Sequence, residues 1–203
     1  MATAVQLSRD ALDQARRGSP DRLADELAEL VGADELVGAL AGTRVVARCL
    51  LAAPDGLTRL DLHAGDGVAL LLDGDGGDPA RTGDGLVSSH LDALVHLVVE
   101  SVGLQWRPVP ASPPFTVDDP TDVPTAVLDY PGSALATHLP PSVDPARLRW
   151  WSLQFPGPSG AVEAEVTVLD ADRAGLFHQD GTRLEPTTSA LAWDRLWAGL
   201  SRG

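Results

Sequence analysis

The chain has 203 residues, with 29 acidic against 15 basic side chains and a formal charge of −14. A field of that sign repels nucleic-acid phosphates and anionic lipid headgroups, so neither a nucleic acid nor a membrane surface is an expected partner. The apolar share of 44% is that of a folded globular chain, long enough for one core or two small halves. All the basic residues are Arg, scattered rather than clustered, so the acid serves solubility or steers a basic partner.

Cys49 stands alone, which excludes an intrachain disulfide, and its neighbours Val45, Val46, Leu50 and Leu51 make it a small packed hydrophobe. Met1 to Asp10 lacks the basic-then-apolar layout of a signal peptide. The most apolar helical stretch, Leu91 to Leu104, is too short to span a bilayer and carries Asp92, His96 and Glu100. A cytoplasmic location is the default expectation.

The first forty residues read as short helices. Ser19-Pro20 caps one whose Leu23, Leu27, Leu30 and Val31 form a single stripe ended by Gly32. Asp34 opens a second, closed by Gly42. Val45 to Ala53 fits a buried strand or a short helix, which periodicity does not separate. Leu57 to Ala64 alternates, with Leu60 and Leu62 on one face and Arg59, Asp61 and His63 on the other. Gly65-Asp66-Gly67 turns the chain into a strand over Val68 to Leu72. Asp73 to Gly85 is a solvated Gly/Asp loop, followed by a brief strand at Leu86 to Ser88.

Ser89 and Asp92 make a capping pair for an amphipathic helix to Gly103, with Leu91, Leu94, Val95, Val98, Val99 and Val102 on one side. Ten of the sixteen prolines then lie between Trp106 and Pro145, a connector expected to hold little regular structure beyond a short element around Ala134 to His138. Leu148 to Phe155 and Ala161 to Leu169 are the next strands. Asp170 to Gly175 turns, Leu176 to Gln179 and Thr182 to Glu185 form a hairpin about Asp180-Gly181, and a terminal helix carries Trp193, Leu196, Trp197 and Leu200 on one stripe.

The pattern is α+β, in two similar halves, each an antiparallel sheet followed by an amphipathic helix, with a pseudo-twofold arrangement expected between them. The divisions are residues 1–105, a proline-rich connector 106–145, and 146–203, which together are expected to form one compact unit.

No catalytic motif is complete. The Asp73-Gly74-Asp75-Gly76-Gly77-Asp78 run with Asp84 resembles a calcium loop, but it puts Gly77 at position 5, Asp78 at position 6 and Asp84 at position 12, where an EF-hand needs a ligand, Gly and Glu. No phosphate-binding Gly loop, nucleophile elbow or His-Glu-x-x-His run occurs, and His63, His90, His96, His138 and His178 lack metal-ligand spacing. No catalytic residue, cofactor or metal is therefore expected. Of the five Trp, the adjacent Trp150 and Trp151 must point to opposite faces of a strand, so one of them needs a second layer or a partner.

The run Val162-Glu163-Ala164-Glu165-Val166-Thr167-Val168-Leu169-Asp170-Ala171-Asp172-Arg173-Ala174-Gly175-Leu176-Phe177, continuing through Leu184-Glu185-Pro186 to Leu196, resembles the C-terminal part of the EspG family. Val45 to Gly103 follows the same plan. That resemblance implies a pseudo-twofold α+β fold, no catalysis, and a cytosolic chaperone of type VII secretion that binds a helical protein substrate. It also implies contact regions at the Asp73–Asp84 loop, with Asp73, Asp75, Asp78 and Asp84, and at the C-terminal helix; Trp151 is the candidate aromatic contact. The alternatives are a small-molecule-binding domain, which requires a pocket lined by Trp and Leu with convergent polar groups, and an acidic immunity-type inhibitor of a basic toxin.

Overall fold

The computed structural model describes residues 2–65, 67–74, 82–88, 96, 98, 99 and 112–200. Over these the chain is a mixed fold of ten strands and five α-helices, and every strand pair with a defined register is antiparallel. It divides into two compact units, residues 1–48 with 58–98, and residues 49–57 with 99–203. Residues 112–145, the greater part of the expected connector, belong to the second unit.

The first unit opens with a strand that the sequence pattern hid. β1 (Ala2–Ser8) reads as polar and small, yet its Val5 and Leu7 are buried. Ser8 ends it and caps α1 (Arg9–Arg16), its Oγ accepting from the Ala11 backbone N–H while donating to Glu26. α2 (Asp21–Leu27) and α3 (Ala33–Ala41) follow, the second entered through Gly32 at φ 79°, a left-handed conformation that glycine adopts without strain. Leu12, Leu23, Leu27 and Leu40 of these helices bury against Val68, Leu70 and Leu72 in one core.

β2 (Arg44–Ala53) is a strand, which resolves the open alternative at Val45 to Ala53; its first five residues belong to the first unit and its last five to the second. β3 (Gly56–Gly65), β4 (Val68–Gly74) and β5 (Thr82–Ser88) continue as a meander, and β5 pairs back onto β1 along all seven residues, giving the order β1-β5-β4-β3. The strands run further into the expected Asp73–Gly85 loop than its composition suggested. Asp73 pairs opposite Leu60, and Asp84 opposite Gln6, whose amide donates to it. Of the helix expected from Ser89 to Gly103, only 96, 98 and 99 are described, and all three are helical.

Beyond residues 49–57, the second unit has β6 (Phe115–Thr116), a 3-10 turn at Pro120–Asp122 and α4 (Val123–Leu128), then 3-10 turns at Ala134–Thr137 and Pro145–Arg147. The prolines start helical turns at positions where a missing N–H costs nothing, so this segment holds more regular structure than proline content alone implies. It also packs: Val123, Val127, Leu135, Leu139 and Val143 share a core with Leu148, Trp150, Leu169, Phe177 and Leu184.

β7 (Leu148–Pro156), β8 (Val162–Ala171), β9 (Leu176–Asp180) and β10 (Arg183–Thr187) form the meander, with β6 on β10, in the order β7-β8-β9-β10-β6. Asp170 Oδ1 accepts from the Asp172 N–H, and Asp172 takes φ 50°, so the paired acids serve the turn as the sequence implied. α5 (Ser189–Leu200) closes the unit.

α5 departs from its expected stripe. Ser189, Ala192, Leu196 and Gly199 face inward, while Trp197 is half exposed. The inward face carries small residues because the sheet lies close: a Cβ on Gly199 would clash with the Phe155 ring. Close approach selects Ala and Gly, and turns the larger indole outward.

Candidate functional site

The cross-strand register sorts the second unit's sheet into two faces. Trp150 pairs with Leu169 and Leu169 with Phe177, so these three share one face; Trp151 pairs with Val168 and points to the other. Both indoles are buried, Trp151 completely. Each face has its own cover, the 112–145 segment on the first and α5 on the second, which is how adjacent tryptophans are both accommodated.

The 112–145 segment covers its face incompletely. Beyond Trp150 the face turns polar, with Ser152 opposite Thr167 and Gln154 opposite Glu165. There an open cleft of about 580 Å³ remains, with Leu50 and Trp150 as apolar floor, Pro120, Thr121 and Pro124 as one wall, and Glu165, Thr167 and residues 178–181 as the other.

Its polar groups are fixed. Trp150 Nε1 donates to Gln179 Oε1 at 2.8 Å, and Gln179 Nε2 donates to the carbonyls of Pro120 and Gly181 at 3.0 and 3.2 Å. One buried amide thus ties the indole, the 3-10 turn and the β9–β10 hairpin together. Glu165 accepts from Ser152 Oγ and Gln154 Nε2. Asp119 caps the 3-10 turn by accepting from the Thr121 N–H and hydroxyl, which hold its carboxyl below the usual range.

His178 borders the cleft but alternates to the α5 face. Its Nδ1 lies 3.1 Å from the Thr167 carbonyl, which assigns the neutral-ring proton to Nδ1. Burial, then the Arg195 charge, lower its pKa, so it is a neutral imidazole at pH 7. Among the described residues, no group of three or more His, Cys, Asp and Glu could hold a metal ion. Cys49 is buried, and burial pushes its thiol up to about 12, far from a reactive thiolate.

The expected contact residues lie elsewhere. Asp73 and Asp84 are exposed on β4 and β5 of the first unit. Asp75 and Asp78 lie outside the described residues. Trp151 is fully buried and offers no surface, whereas Trp197 is the half-exposed indole. The sequence signalled Trp150 through its pairing with Trp151. Nothing local marked Gln179, Thr121 or Pro124, which reach the cleft only through the fold.

A second polar constellation lies in the first unit. Asp61 and His63, read as one side of an alternating strand, are both buried, because α1 lies over that side. Arg9 Nε is 2.8 Å from Asp61 Oδ2, and Arg16 Nη2 is 2.8 Å from His63 Nδ1 and 3.0 Å from Thr43 Oγ1.

No protein-family model matches the chain, and no curated protein matches it. Among the described residues no helix is long and apolar enough to cross a membrane.

Proposed function

We propose that the protein is a non-catalytic chaperone or adaptor that holds a segment of a protein partner in the cleft of its second unit. The observation that carries this reading is the cleft's form: half open, floored by Trp150 and Leu50, and walled by prolines whose backbone is already fixed. Small-molecule sites enclose most of their ligand's surface. A half-open trough suits side chains projecting from a larger body, and an indole under fixed polar groups is a frequent anchor for them.

The EspG-like resemblance points the same way, toward a cytosolic chaperone of type VII secretion with a helical client. The recurrence of one element order supports it. In each unit an edge strand is followed by helical segments and four successive strands, the last of which pairs back onto the first, β5 on β1 and β10 on β6. That shared closure supports the reading of two similar halves.

A small-molecule ligand is the second reading, favoured by the three-way anchoring of Gln179 beside the indole. Affinity capture from the native cell separates the two, comparing the protein with Thr121→Arg and Glu165→Arg, exposed cleft positions where a long side chain fills the trough. A protein retained by the wild type and lost from both variants supports the adaptor. A retained metabolite seen by native mass spectrometry supports the second reading, and capture unchanged by either variant contradicts both.

A further inference from the structure

The buried charged cluster of the first unit is poorly matched to the protein groups around it. Arg9 and Arg16 stand seven residues apart on α1, so both look down on the same side of β3. Beneath them lie Asp61 and His63, and Arg48 of β2 is close enough for its charge to act on the imidazole. Among the described residues Asp61 is the cluster's single buried carboxylate, and it serves Arg9 at 2.8 Å and Arg59 at 3.6 Å. Arg16 reaches the exposed Asp13 through Nη1, which leaves its Nε and the Arg48 guanidinium without an anionic counterpart among the described residues.

The hydrogen-bond accounting sharpens this mismatch. A guanidinium only donates, so Arg16 Nη2 donates to His63 Nδ1 and the neutral ring carries its proton on Nε2. That Nε2 is buried and has no acceptor among the described residues; by hydrogen-bond geometry neither do Arg9 Nε and Nη2, Arg16 Nε and Arg48 Nε, while one acceptor, Asp61 Oδ1, has no donor. Buried donors are almost always satisfied, so five without acceptors, against one unpaired carboxylate oxygen, call for acceptors from outside the chain. Protonating His63 cannot relieve the excess, since burial and the charges of Arg16, Arg9 and Arg48 lower its pKa to about 3. It would only add a charge. The Asp61 carboxylate opposes an incoming anion, but Arg9 and Arg59 already offset it.

We propose that Arg9, Arg16, Arg48 and His63 form a binding site for a small tetrahedral oxyanion, a phosphate or the phosphoryl group of a larger molecule. Their donors come from two layers, a helix above and strands below, which suits an acceptor with oxygens on all sides better than a planar carboxylate. Guanidinium forks match phosphate oxygens in pairs. Arg9 and Arg16 side chains remain about a fifth exposed, at 18% and 22%, so the ion has a way in from solvent.

The test is calorimetric titration of the full chain with inorganic phosphate, then with sulfate and acetate at matched ionic strength, alongside thermal unfolding. Phosphate and sulfate binding at a single site, with a midpoint rise of about 3 °C at ten times the dissociation constant, is the expected result. Arg48→Gln and His63→Gln should each weaken binding at least tenfold while circular dichroism shows the fold retained; should either variant misfold, the wild-type titration still decides. Heat from acetate equal to that from phosphate would overturn the tetrahedral assignment. No saturable binding of any of the three, or binding unaltered in the folded variants, would overturn the site.

Discussion

The two units differ in what lies beneath their helical cover. In the second, the face beneath the helical cover is aromatic and apolar, built on Trp150, Leu169 and Phe177, with polarity gathered at the cleft end. In the first, the β3 stretch under α1 carries Asp61 and His63 among arginines, beside the Leu70 and Leu72 of its neighbour. The sheet face of the second unit therefore depends on volume alone, while the first unit adds a buried charged cluster beside its apolar core, and the two should fail in different ways.

The largest effects test that contrast directly. Trp151→Ala, which empties a fully buried indole site, should cost about 4 kcal/mol in denaturant unfolding. Asp61→Ala removes little volume yet should cost about 3 kcal/mol, since it strands Arg9 beside a net-cationic cluster. A small effect at Asp61 beside a large one at Trp151 would erase the distinction.

Acid should weaken the protein through His63. Its ordinary pKa of 6.5 falls to about 3 when folded, by burial and then by the nearby arginines. Above pH 6.5 the ring is neutral in both states and contributes no pH dependence. Between 6.5 and 3 the unfolded chain takes up a proton that the folded chain refuses. Stability thus falls as pH drops, by up to about 1.4 kcal/mol per pH unit. His63→Gln, whose amide oxygen can accept from Arg16, should flatten the part of the slope above pH 5, where the carboxylates contribute least.

Smaller effects sharpen the picture. Gln179→Ala should cost about 1–2 kcal/mol by stranding the Trp150 N–H, and should lower partner capture because the cleft loses its tie. Ser8→Ala should cost about 1 kcal/mol, from the lost cap of α1. Trp197→Ala should change stability by less than about 0.5 kcal/mol, its indole being half exposed.

Much of the strand framework was legible in the sequence. The alternation at Leu57 to Ala64, the Asp180-Gly181 turn and the terminal helix each carried a local signal, and each element formed. What escaped was set by cover rather than by strand. Alternation separated Asp61 and His63 from Leu60 and Leu62, but whether the polar side stays wet depends on α1, which β1 positions by pairing with a strand some eighty residues later. β1 itself, Ala-Thr-Ala-Val-Gln-Leu-Ser, has no strong pattern and is fixed by that long-range pairing. The prolines misled in the other direction, because Pro120, Pro124 and Pro145 start helical turns. On α5 the stripe was displaced by the nearness of Phe155 to Gly199, a distance no periodicity contains.

The central claim is that the second unit's cleft is where a partner is held. Hydrogen exchange of the isolated protein, compared with the complex recovered from its native cell, tests it most directly. Slowed exchange concentrated at residues 120–124, 165–167 and 178–181, with the β3 amides of the first unit unchanged, is the expected outcome. Protection confined to other segments, with those three stretches exchanging as they do in the free chain, would contradict it.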